Sequence, residues 1–153
     1  MASQTHHLAQ VNIARMLAPL DTPRMRGFVE KLDAVNAAAD SADGFVWRLI
    51  DSDGSSATDF RFWGDDWLIV NMSVWTSPEA LVAYVFGEDH RPVLQQRRQW
   101  FEHLDEAVTA LWWVPAGHEP TISEAEKRLT LLREKGPTPE AFTMRERFAA
   151  SVS

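Results

Sequence analysis

The sequence has no cysteine. Disulfides, thiolate metal sites and thiol nucleophiles are therefore excluded, and the absence suits a cytoplasmic protein. No apolar run approaches the roughly 20 residues that a bilayer span requires, and the opening "MASQTHHLAQ" lacks the basic start and apolar stretch of a signal peptide. No membrane partner is expected, and a cytoplasmic location is. Positive charge is scarce as well. Fifteen Lys and Arg stand against 22 Asp and Glu, and the longest basic cluster is the pair Arg97–Arg98, so no nucleic-acid partner is expected. There is no G-x-S-x-G elbow and no glycine-rich phosphate loop after a strand. The five histidines show no regular ligand spacing beyond His6–His7, so no metal site is expected either.

Against a single tyrosine stand seven tryptophans. Several will fill the core, but the excess favours a small-molecule pocket with aromatic walls. At 153 residues the chain makes one domain, read as a core over about 7–115 and a C-terminal helical extension over 116–153.

Periodicity orders the elements. "HLAQVNIARM" alternates as a half-buried strand, and Asp21 or Thr22 with Pro23 opens a helix that runs to about Ala39, its apolar stripe including Phe28, Leu32 and Asn36. "FVWRLI" is a second strand, and residues 51–66 form a long polar loop. In "WLIVNMSVW", residues 67–75, Leu68, Val70, Met72 and Val74 make one aliphatic face, while Trp67, Ile69, Asn71, Ser73 and Trp75 share the other. Ser77-Pro78-Glu79 starts a helix that Gly87 ends, and "HRPVLQQRRQWFEHLD" is a further helix with Leu94, Phe101 and Leu104 in its stripe. "AVTALWWV" is the last strand, and Thr121 with Glu124 makes a capping box for a helix closed by Gly136-Pro137. The tail "TPEAFTMRERF" has no clear period.

This order predicts an α+β fold: a ferredoxin-like split βαβ with an antiparallel sheet, helices on one face, and an extra C-terminal helix and tail. The aliphatic face of the third strand then lacks a cover, which predicts a homodimer packed sheet against sheet.

"VNMSVWTSPEAL" resembles the antibiotic-biosynthesis monooxygenases, in which an Asn and a Trp four residues later end a strand before a Ser-x-Glu-Ala helix start. The whole chain, through "LAQVNIAR", "GFVWRL", "NMSVW", "LWWVPAGHEPT" and "GPTPEAF", resembles an uncharacterised family of the dimeric α+β barrel superfamily. The resemblance implies a cofactor-independent monooxygenase of secondary metabolism acting on an aromatic or polyketide-like substrate. A non-redox cyclase or isomerase, or a small-molecule-binding protein, is the alternative, and a haem-dependent enzyme a further one. It also implies substrate-facing roles for Asn71 and Trp75 as donors to substrate oxygens, and for Arg97 as anion stabiliser. His90, at a helix start, is cast as base. Asn12, Trp47, Tyr84, Trp100, Trp112 and Trp113 are expected to line the pocket. Trp112 and Trp113 point to opposite faces, and which one enters the pocket stays open. Haem would need His90 or His103 as ligand, because the position one turn beyond His90 reads Val93, Leu94, Gln95. No cofactor is expected, and the partners expected are a small-molecule substrate and a second copy of the chain.

Overall fold

A computed structural model of the chain describes residues 6–50, 60–87 and 91–150, without the side chains of residues 92–94. The elements are β1 (His6–Met16), α1 (Arg26–Ser41), β2 (Phe45–Arg48), β3 (Arg61–Phe62), β4 (Asp65–Trp75), α2 (Pro78–Val85), α3 (Arg91–Trp100), β5 (Phe101–Glu102), β6 (Thr109–Pro115) and α4 (Ile122–Lys135). The strands form one antiparallel sheet. β4 and β1 are its centre, β2 and β3 pair with the outer side of β4, and β5 and β6 pair with the outer side of β1. The order β2-β4-β1-β6 is the expected ferredoxin-like arrangement.

Local chemistry accounts for the helix starts. Ser77 Oγ accepts the Ala80 N–H at 3.1 Å with Pro78 in the first turn, and Thr121 Oγ1 accepts the Glu124 N–H at 3.1 Å. Gly136, at φ 74°, closes α4 by donating its N–H to Leu132 O. A short 3₁₀ turn, Pro23–Met25, precedes α1, and Thr22 turns its hydroxyl back to Pro19 O instead of capping the helix.

Each face of the sheet has its own layer. Ala9, Val11, Ile13, Val70, Met72 and Val74 form the aliphatic face, packed against Ala125, Leu129 and Leu132 of α4. This corrects the expectation that a second copy covers it, since α4 of the same chain lies there and the face gives no reason for a dimer. The opposite face carries α1, α2 and α3 over two separate apolar clusters, one around Leu8, Trp75, Leu81, Leu111 and Phe142, the other around Met16, Met25, Phe28, Ile69 and Trp100. The tail joins the sheet through a backbone bridge between Phe142 and Leu111.

Two boundaries differ from the sequence reading. Part of the expected 51–66 loop is a hairpin, β3 turning into β4 through Trp63 and Gly64, both at positive φ, while residues 51–59 lie outside the described residues. The helix expected to reach Asp105 stops at Trp100, because Phe101 and Glu102 pair with Met16 and Arg15 as a strand. Tertiary pairing overrides the helical period there. Among the described residues, no helix is long and apolar enough to cross a membrane.

Candidate functional site

The register of the central strands assembles a polar band. Asn71 pairs with Asn12, which pairs with Thr109, and Ser73 pairs with Gln10, which pairs with Leu111, all on the helix-covered face. On one side the next row is Trp75, Leu8 and Trp113 in the first apolar cluster, and on the other Ile69 opposes Ala14 in the second. Two apolar walls thus flank a floor of neutral amides and hydroxyls.

Gln10 and Ser73 are each 6% exposed, whereas Asn71, in the middle of the same floor, is exposed. The face is therefore open to solvent between the two clusters and forms a trough. Hydrogen bonds organise its floor. Gln10 Nε2 donates to Asn71 Oδ1 and to Ser73 Oγ, each at 2.8 Å, and Trp75 Nε1 donates to the same Ser73 Oγ at 2.8 Å. Asn12 Nδ2 donates to Thr109 Oγ1 at 2.6 Å. Tyr84 stacks on Trp75, with ring centroids 5.2 Å apart, and its hydroxyl donates to Val35 O of α1. Arg48, across the pair from Ser73 on β2, is held at the rim by Asp40 of α1 through contacts of 2.8 and 3.3 Å.

Of the residues expected at the site, Asn12, Asn71, Trp75, Tyr84 and Trp113 come together here. Trp75 is fully buried and its N–H is taken by Ser73, so it is not presented to a ligand oxygen as expected. Trp113 is the indole on the trough side, its N–H donating to Phe148 O, which answers the question that sequence parity left open. Trp112 and Trp47 belong to the opposite, α4-covered face and are not walls of the trough. Trp47 is moved there by a register shift between Phe45 and Trp47 on β2, which breaks the simple alternation. Trp100 lies in the far cluster with Phe28 and Phe101, 5.6 Å from the Phe28 ring centroid. Arg97 is exposed on α3. His90 lies outside the described residues, as do the side chains of Val93 and Leu94.

Sequence reasoning missed Gln10, the residue that orients both Asn71 and Ser73. Its signal was a second amide two residues before Asn12, on the same face of the strand. It also missed Arg48, whose placement depends on the same β2 bulge. Two surface hollows among the described residues lie elsewhere, one along the outer side of α4 and one beside the Gly44 turn. Among the described residues no three His, Asp or Glu side chains converge as metal ligands.

On the α4 side, a second polar group locks the connector after β6. Glu124 accepts from Trp112 Nε1 at 2.9 Å and lies 2.7 Å from His118 Nε2. Burial pushes the Glu124 carboxyl up, but hydrogen bonds from His118 and Trp112 and the charges of His118 and Arg128 outweigh it, so the net shift is downward. At the start of β4, Asp65 is likewise held below the usual range, by the Trp67 backbone N–H first and by Arg15 at 2.9 Å.

The sheet order, the helical layer and the trough between them define an α+β protein of ferredoxin-like fold. The chain belongs to the family described as a domain of unknown function, DUF3291, whose model matches residues 7–153. No curated protein matches it. Among solved structures, PA3566 from Pseudomonas aeruginosa is similar with a TM-score of 0.51 and 11% identity, over 76% of this chain and 100% of that one. A candidate antibiotic biosynthesis monooxygenase from Chloroflexus aurantiacus J-10-fl gives 0.45 and 16%, over 76% and 98%. A dabb family protein with a ferredoxin-like fold from Mesorhizobium loti gives 0.41 and 9%, over 75% and 98%. At these identities the likeness speaks to fold and not to activity.

Proposed function

We propose that the trough binds a small aromatic or polyketide-like molecule bearing a phenol or enol oxygen, and that the protein acts on it as a cofactor-independent monooxygenase. The observation that carries the reading is Asn71, a solvent-open amide in the middle of a sheet face whose flanks are closed by aromatic clusters. Rings fit against the half-buried Trp113 and Tyr84, and an oxygen of the ligand meets the amide. Once ionised, such a substrate is electron-rich enough to react with O₂ directly. A methylene carbon becomes a carbonyl, one oxygen atom entering the product and the other leaving as water with the two hydrogens removed. The protein supplies an aromatic flank for the rings and hydrogen bonds to the enolate oxygen.

A second reading, a binding protein or a non-redox cyclase or isomerase, also has an observation behind it. The floor consists of amides and hydroxyls, and among the described residues no carboxylate or imidazole is hydrogen-bonded to them. Oxygen uptake separates the two. With a dihydroxyanthrone as probe, the protein is expected to accelerate O₂ consumption over the uncatalysed rate, one O₂ per substrate, and Asn71→Leu to remove most of the acceleration. Turnover or binding that proceeds equally under nitrogen, with no protein-dependent O₂ uptake, refutes the oxygenase and leaves the second reading. A homodimer has lost the argument from an uncovered sheet face, and sedimentation at micromolar concentration tests it directly.

A further inference from the structure

We propose that the tail beyond Phe142 is a displaceable strap, in which Phe148 holds at Trp113 the place that an aromatic carbonyl ligand takes when it binds. The inference rests on the trough being the ligand site. It adds a donor, the Trp113 N–H, and a segment of the same chain that competes with the ligand for it.

The sheet holds Trp113 firmly, whereas the tail is held loosely. Trp113 is on β6 in register with Leu8, at the heart of the first apolar cluster. The tail pairs with β6 at Phe142, which exchanges two backbone hydrogen bonds of 2.8 Å with Leu111. Beyond that bridge no described residue belongs to a helix or strand. A turn follows, in which Thr143 Oγ1 accepts the Glu146 N–H at 2.9 Å and the Thr143 N–H donates to Glu146 O at 3.3 Å. The segment after the turn is fastened by few contacts. Trp113 Nε1 donates to Phe148 O at 2.7 Å, the half-buried Phe148 ring meets Phe142 edge-on with centroids 5.9 Å apart, and Arg147 reaches Glu79 of α2 at 3.2 Å. The Arg147 and Glu79 side chains are 37% and 78% exposed, so that ion pair adds little.

Phe148 thus brings to this wall an aromatic ring and a carbonyl oxygen from a single residue. An anthrone or another aryl ketone carries the same two groups. An indole has one N–H to give, so strap and ligand compete for it. A site that is open only part of the time binds with an affinity reduced by that fraction, and loosening the strap therefore raises affinity towards that of the open site. The turn at Thr143 lies just past the anchored Phe142, so the strap can swing away while the pairing with Leu111 stays intact.

The test uses the full chain and the dihydroxyanthrone under nitrogen, with binding followed by quenching of tryptophan fluorescence. Phe148→Ala, which removes the competing ring, is expected to bind about tenfold more tightly than wild type, and Arg147→Glu, which sets a repulsion against Glu79, about threefold. Melting temperatures are recorded for both. Arg147 is exposed, so its variant keeps the test open if Phe148→Ala fails to fold. Trypsin supplies a second readout on wild type, because the Arg147–Phe148 bond lies within the strap: saturating anthrone should speed cleavage there several-fold as the segment is displaced. Equal or weaker binding in every folded variant overturns the strap and makes Phe148 part of the wall. Cleavage that the anthrone slows or leaves unchanged overturns it as well. No binding by wild type or by either variant removes the trough as the ligand site, and the strap with it. Oxygen uptake enters none of these readings, so the strap stands or falls separately from the oxygenase.

Discussion

Glu124 is the position at which a single substitution reports most directly on how the C-terminal helix is held to the sheet. Its carboxylate receives the N–H of Trp112, a side chain with no exposed surface, and faces His118 at 2.7 Å. Hydrogen bonds to a charged acceptor contribute about 1.5–3 kcal/mol and neutral ones about 1 kcal/mol. Glu124→Gln retains an oxygen for Trp112 but loses the charge, so it should cost about 1 kcal/mol. Glu124→Ala also strands a buried indole N–H, raising the loss to about 2–4 kcal/mol. For a domain of this size each kcal/mol moves the melting temperature by about 2–4 °C, so circular dichroism melts should show the Gln variant a few degrees down and the Ala variant well below it. The pH dependence has a definite sign. A carboxyl held below its ordinary value of 4.5 contributes stability that is present above that value and is lost as pH falls through its folded value. The gap between wild type and Glu124→Gln should therefore be full at neutral pH and close on acidification. Identical melts at neutral pH, or a gap that widens as pH falls, would refute the account.

Two further outcomes test the layers. Leu129 of α4 is fully buried on the aliphatic face, so Leu129→Ala is expected to cost about 2–5 kcal/mol in urea unfolding; a loss below 1 kcal/mol would mean that α4 does not cover the sheet. Gly44, at φ 82°, would place a Cβ 2.5 Å from Ala80 Cβ and 2.7 Å from Thr76 Oγ1, so Gly44→Ala should destabilise by at least about 2 kcal/mol. An unchanged midpoint would show that the β2 start can shift away from α2.

The parts of this fold that were legible in the sequence were set by short-range chemistry. Ser77-Pro78 and Thr121 mark helix starts because the cap bond spans three residues, and strand parity alone put Asn71, Ser73 and Trp75 on one face and split Trp112 from Trp113. What parity cannot give is which face each strand turns to which layer, since that is fixed by register against partners distant in sequence. Trp47 shows the point, because one bulge on β2 sends it to the α4 side. Phe101 shows another, because pairing with Met16 converts what reads as a helical stripe into a strand. The cover of the aliphatic face was misassigned for the same reason: nothing local to residues 122–135 says which surface their apolar stripe will meet. Gln10 was overlooked because its importance lies in two partners more than 60 residues away.

The tail carries a consequence for how the molecule comes apart. Ala141 belongs to the core beneath α4, while the next residue, Phe142, belongs to the helix-side cluster and is hydrogen-bonded through its backbone to Leu111 between them. Two neighbouring residues are thus rivets in different decks. Neither deck can loosen without pulling on the other, and the pair should melt as one cooperative unit, with the tail as the tie between two layers that the sheet would otherwise keep apart.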